Sequence, residues 1–145
     1  MLHYNNTSAT ATNMNISSSG LMTISYQYSG YPSITTKAVI TTYIEKRTLG
    51  IFWSRVDIGT SDNQWNDVIN DYRYTGYRTY QLSDKGTYRV VVKYTIYGTG
   101  GSADVIPYEA KDSYYEQISR QIADCQNLLG AWMNSDRRRL SSDGT

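Results

Sequence analysis

Few residues in this chain are equipped for covalent chemistry, and those few lie far apart. Its single histidine, His3, sits in a polar N-terminal stretch, and its single cysteine, Cys125, belongs to the C-terminal part. Nucleophilic catalysis needs a base held beside the nucleophile, and this pair does not supply one. One cysteine makes no intramolecular disulfide, and the inventory is too small for an ordinary zinc site. Carboxylates are more plentiful. Two of Glu45, Asp57, Asp62, Asp67, Asp71 and Asp104 could flank a glycosidic bond, but no spacing selects a pair. The series Asp62, Asn63, Asn66, Asp67, Asn70, Asp71 offers oxygen ligands, yet it lacks the EF-hand loop pattern and reads as a polar loop. Gly98-Thr-Gly-Gly-Ser102 precedes a strand and lacks the Lys-Ser/Thr of a phosphate loop. It reads as a hairpin loop with glycines at positive φ. No catalytic residue, metal or cofactor is expected.

The chemistry that the composition favours is non-covalent. Fifteen tyrosines and three tryptophans stand against one phenylalanine. Tyrosine joins an apolar ring to a polar tip, which suits half-exposed strands and wet contacts. Parity and loop position keep many of these rings out of a single core. Trp65, Tyr31, Tyr72, Tyr74 and Tyr97 are therefore the candidate ligand-binding residues, because exposed rings stack on sugars or anchor protein contacts. The expectation is that two or more rings are exposed together near Trp65 and the Gly98–Ser102 loop. Of the neighbours Phe52 and Trp53, only one can face inward.

These residues need a scaffold, and the clearest part of it is Leu82-Ser-Asp-Lys-Gly-Thr-Tyr-Arg-Val-Val-Val-Lys-Tyr-Thr-Ile-Tyr97. Tyr88, Val90, Val92, Tyr94 and Ile96 share one parity, the mark of a half-buried antiparallel strand. Leu82 and Val90 would face a core, Gly86 would turn the corner, and the Tyr88 phenol would bond back to the turn. That is the layout of a tyrosine corner. Strand signals recur at intervals suited to a sandwich, from 13–17 through 21–28, 35–47, 51–58 and 74–82 to 103–109. Pro107 assigns the last of these to a sheet edge. The reading is an all-β, immunoglobulin-like antiparallel β-sandwich of about seven or eight strands, with a C-terminal amphipathic α-helix.

Four segments follow: a flexible stretch over 1–12, the sandwich over 13–112, the helix over 113–134, and a basic tail over 135–145. Ile118, Ile122, Cys125, Leu129 and Trp132 recur with heptad spacing. Ser113 and Glu116 resemble a capping box. A helix of that length is marginal alone in water, so its stripe needs a partner surface, on its own sandwich or on a second copy. Pairing through residues 116–133 would make a homo-oligomer. The net charge of +1 lacks the basic footprint of a nucleic-acid binder. No apolar run is long enough to span a membrane.

Thr41–Val56, Asn63-Gln-Trp65, Leu82–Val90 and Gly98–Pro107 together resemble small exported proteins of Gram-positive (Firmicute) gut bacteria. The resemblance covers residues 13–115. It implies a leader peptide followed by one β-sandwich domain, hence a secreted or cell-surface protein. The family has no established activity, so it supplies no site residues. Composition and resemblance together point to a non-catalytic module that binds a protein or glycan. The alternative is an assembly protein that dimerises through its helix.

Overall fold

The computed structural model describes residues 4–114, and they form eight antiparallel strands in two facing sheets. The strands are β1 (Thr7–Ile16), β2 (Leu21–Gly30), β3 (Thr35–Thr48), β4 (Phe52–Arg55), β5 (Trp65–Ile69), β6 (Arg73–Gln81), β7 (Thr87–Gly98) and β8 (Asp104–Ser113). One sheet has the order β1-β2-β6. The other has the order β4-β3-β7-β8, with β5 also pairing to β3. The chain thus crosses between sheets after β2, after β5 and after β6.

Alternation produces this arrangement. In β7 the even positions Val90, Val92, Tyr94 and Ile96 are fully buried, and they sit opposite Ile44, Thr42, Ile40 and Ala38 of β3. Met22 and Ile24 of β2 cover them from the other sheet. Each such aliphatic side chain contributes about 1.5–3 kcal/mol by leaving water. The segment holding Leu82, Gly86, Tyr88 and Val90 enters β7. Leu82 and Tyr88 are buried, Gly86 adopts φ +154°, and the Tyr88 hydroxyl donates to the Asp84 carbonyl at 2.6 Å. Burial, with the Asp84 charge behind it, pushes that phenol up to about 12.

Tyrosine reaches further into the core than its parity suggests. The rings of Tyr26, Tyr28, Tyr88 and Tyr94 are all buried, and their hydroxyls run out to partners at the rim. Tyr28 donates to the Asp71 carbonyl at 2.7 Å, and Tyr94 meets Thr12 Oγ1 at 2.6 Å and the Ala11 carbonyl at 3.1 Å. The tyrosine tips thus bond to the neighbouring backbone along the seam between the sheets, where phenylalanine would leave those acceptors unpaired.

Two boundaries differ from expectation. The stretch 1–12 was expected to be flexible, but β1 begins at Thr7, and Asn6 and Thr7 are buried. Asp104 is the cause. Its carboxylate accepts the Asn5 N–H at 2.8 Å, the Asn6 N–H at 2.8 Å and the Thr7 hydroxyl at 2.7 Å. Strand β8 runs on to Ser113, where a helix cap was expected, and the Ser113 hydroxyl pairs with Thr87 at 3.0 Å. Its register against β7 carries through Ala110, Lys111 and Asp112 without a break. Pro107 does occupy an edge strand. The helix over 113–134, with Ile118, Ile122, Cys125, Leu129 and Trp132, and the tail over 135–145 lie outside the described residues but for Ser113 and Tyr114.

Candidate functional site

The outward residues of the three-stranded sheet form cross-strand rows. Register aligns Ala11 with Gln27 and Thr75, then Asn13 with Ser25 and Tyr77, then Asn15 with Thr23 and Thr79. None of these nine carries a charge. The strands alternate strictly, so the apolar members of β1 and β2 go inward and leave small amides and hydroxyls outside.

Two shallow depressions lie on this sheet. One, of about 440 Å³, is lined by Asp71, Arg73, Tyr74 and Ser29 together with Gln27 and Thr75. The other, of about 190 Å³, is lined by Ala11, Asn13, Ser25 and Gly76, again with Gln27 and Thr75. The shared residues make them one groove along β2 and β6. Its charged members, Asp71 and Arg73, stand at one end. Beside the uncharged end the Tyr77 ring is 70% exposed. Short side chains keep the floor low, and Tyr77 stands next to it, opposite Ser25.

A rigid layer backs the groove. Tyr74 stacks on Tyr26 with ring centroids 6.3 Å apart. Gly76 makes room for that ring, because a Cβ there would lie 2.5 Å from Tyr74 Cε2. The Tyr26 hydroxyl donates to Asp67 Oδ2 at 3.1 Å, and Arg78 donates to the same carboxylate through Nε at 2.8 Å and Nη2 at 2.5 Å. Burial raises the Tyr26 phenol, and the Asp67 charge raises it further. The hydrogen bond to Asp67 raises Arg78 as well, so its guanidinium stays charged. Arg78 also lies 5.0 Å from the Trp65 ring centroid, and Trp65 meets Tyr80 edge-on at 6.1 Å. These contacts fix β5 against β6.

The five expected ligand residues do not share one exposed face. Trp65 and Tyr74 are half-buried in the layer just described. Tyr72 is half-buried, with the Arg73 guanidinium 5.4 Å from its ring centroid. Tyr31 is exposed in the turn after β2, and Tyr97 is exposed on β7 with Lys37 Nζ 4.9 Å from its ring centroid. The glycines of the 98–102 loop receive Asn5 and Asn6, not a ring: Gly100 N–H donates to Asn6 Oδ1 at 3.0 Å. Of Phe52 and Trp53, at most one of which could face inward, neither does. Phe52 is 57% exposed at the hairpin, and Trp53 lies half-buried on the outer sheet face among cations. The sequence reading missed Tyr77, Gln27 and Ser25. The available signal was the odd parity of Tyr77 between the inward Tyr74 and Tyr80.

Three of the six candidate carboxylates are committed to structural partners, while Asp57, Asp62 and Asp71 are exposed. Asp67 holds Arg78, Glu45 takes Arg89 Nε at 2.7 Å, and Asp104 takes three donors from the N-terminal segment. The Asp/Asn series is divided, since Asp67 points between the sheets while Asn66 accepts from the Thr41 hydroxyl at 3.1 Å. Among the described residues no three His, Cys, Asp or Glu side chains converge as metal ligands. No protein-family model matches the chain, and no curated protein matches it either.

Proposed function

We propose that this chain is a non-catalytic, exported or cell-surface interaction module with an immunoglobulin-like sandwich, and that it binds an uncharged glycan along the β2–β6 groove. The strand order β1-β2-β6 against β4-β3-β7-β8, together with the Tyr88 bond to Asp84, supports the immunoglobulin-like reading. Resemblance to small exported Gram-positive proteins supports the compartment. One observation carries the ligand class: the end of the groove away from Asp71 and Arg73 is a charge-free surface of amides and hydroxyls beside the exposed Tyr77. Sugars offer hydroxyls to such groups and an apolar C–H face to an aromatic ring. An anionic or cationic ligand would find no counter-charge along Ala11, Asn13, Ser25 and Gln27.

Calorimetric titration with neutral oligosaccharides tests this, after a glycan array has selected them. Binding is expected to be insensitive to salt and to fall at least about tenfold in Tyr77→Ala, the loss of one stacking ring. Failure to bind any neutral glycan, or binding that Tyr77→Ala leaves unchanged, overturns the proposal.

A further inference from the structure

The β3–β4 hairpin ends in a tip that contradicts its own surroundings. Leu49 is 89% exposed, Ile51 72% and Phe52 57%. Isolated apolar residues on a surface need no explanation, but three at one protruding tip do. The backbone adds a second anomaly. The Ile51 N–H closes the turn on the Thr48 carbonyl at 3.2 Å, with Leu49 at φ +53° and Gly50 at φ +75°. Left-handed pairs of this kind favour Asn-Gly or Asp-Gly, and a bulky residue at positive φ is strained. Leucine at position 49 is therefore unfavourable both in solvent and in conformation. Retained strain at an exposed apolar tip points to a use for the side chain.

The charge behind the tip identifies the use. Register puts Arg47 opposite Trp53, immediately below Thr48 and Phe52, and the next outward row is Arg55, Glu45, Arg89 and Lys111. The Trp53 ring lies among these cations, with Arg89 at 4.5 Å, Arg47 at 5.4 Å and Lys111 at 5.8 Å from its centroid. Arg55 stacks on Tyr43 at 3.6 Å. Glu45 is the one carboxylate in the two rows, and Arg89 takes it. Arg47 and Lys111 have no carboxylate partner among the described residues.

From the tip downward the order is thus aliphatic and Phe side chains, then an indole, then guanidinium and ammonium groups. At roughly 3.3 Å per residue, the basic rows stand on the order of 7–13 Å behind Leu49. A bilayer surface has the same sequence: acyl chains, an interfacial zone that favours Trp, and anionic headgroups. We infer that the Leu49–Phe52 hairpin inserts shallowly into anionic lipid and that Arg47, Arg55 and Lys111 hold the headgroup phosphates. This is an attachment at the interface by a strand hairpin, and it requires no membrane-spanning helix.

Co-sedimentation of the full chain with phosphatidylcholine vesicles, with and without phosphatidylglycerol, tests the inference. Binding is expected only with the anionic vesicles, and it should weaken as salt rises. Ile51→Asp should lower it at least about tenfold. Arg47→Gln and Lys111→Gln should each lower it about fivefold. Leu49→Asn is the sharpest variant: it relieves the turn, so the thermal midpoint should rise while vesicle binding falls. Tyr77→Ala should leave vesicle binding unchanged, which separates this inference from the glycan reading. Absence of binding to anionic vesicles overturns it, as does binding indifferent to Ile51→Asp. Lipid-free self-association that Ile51→Asp abolishes would assign the tip to a second copy of the chain and overturn it equally.

Discussion

The two flanks of the sandwich are both closed by aspartate, but by different physics. On the β1/β8 flank, buried Asp104 accepts two backbone N–H groups and one hydroxyl, and Asp112 takes the Ile16 N–H at 2.9 Å. No cation reaches Asp104 among the described residues. On the β5/β6 flank, Asp67 faces the Arg78 guanidinium and the Tyr26 hydroxyl, with about a quarter of its side chain exposed (23%). The first carboxylate is held by dipoles and the second by a formal charge. An ion pair can be replaced whole by apolar groups at little net loss. Backbone donors cannot be removed, so the dipole-held carboxylate has no such substitute.

The largest expected effect breaks the first flank. Asp104→Ala should destabilise by about 4 kcal/mol, because it orphans two N–H groups and a hydroxyl. Chemical denaturation measures it, and a loss below about 1 kcal/mol would show that water replaces the carboxylate. Arg78→Met should lose about 2 kcal/mol, less than a fully buried pair because solvent reaches both partners. Adding Asp67→Leu should recover much of that, whereas no second change should rescue Asp104→Ala. A double variant no better than Arg78→Met alone would erase the distinction between the flanks.

Alkaline pH should act next on both flanks, since burial also raises the Tyr94 phenol that ends at β1, but with more raised phenols away from β1 than on it. The Tyr26, Tyr28 and Tyr88 hydroxyls end at Asp67 and at the Asp71 and Asp84 carbonyls, on the β5/β6 flank and in the loop before β7. Burial raises all three phenols, Tyr28 and Tyr88 to about 12. Unfolded tyrosine ionises near pH 10, so the unfolded chain releases protons first. This stabilisation is complete below about pH 10 and is lost as pH climbs toward about 12. Denaturation curves across that window, with phenolate absorbance, should show the decline, and Tyr88→Phe should blunt it after an initial loss of about 1 kcal/mol. The smallest effect lies midway between the flanks. Thr42 Oγ1 is buried without a partner, so Thr42→Val should stabilise by about 1 kcal/mol. A loss instead would mean that a water satisfies the hydroxyl.

What the sequence revealed followed from strict alternation. Residues 87–97 announce their burial because Val90, Val92, Tyr94 and Ile96 repeat with period two, and β2 does the same through Met22, Ile24 and Tyr26. Strand β1 was legible only at its end. Its first half is Thr, Ser, Ala and Asn, and it is ordered by Asp104, a residue 97–99 positions away that no local pattern can disclose. The tyrosines misled for a related reason. Parity separates faces but does not show that a ring can be buried while its hydroxyl reaches the rim. The groove was hidden because its floor is an absence of side-chain bulk at Ala11 and Ser25. Exposure of the Leu49–Phe52 tip was likewise unreadable, since an apolar turn in a sequence looks like core.

The junction of Asn5, Asn6 and Thr7 with Asp104 also carries a temporal consequence. Contacts this remote delay folding, since the ends of a long segment must meet before the bond repays the lost chain freedom. A ribosome must deliver Asp104, near the end of the described residues, before the Asn5–Thr7 segment can dock on it. Until then Asn5, Asn6 and Thr7 lack their acceptor, and pairing with β2 alone holds the strand.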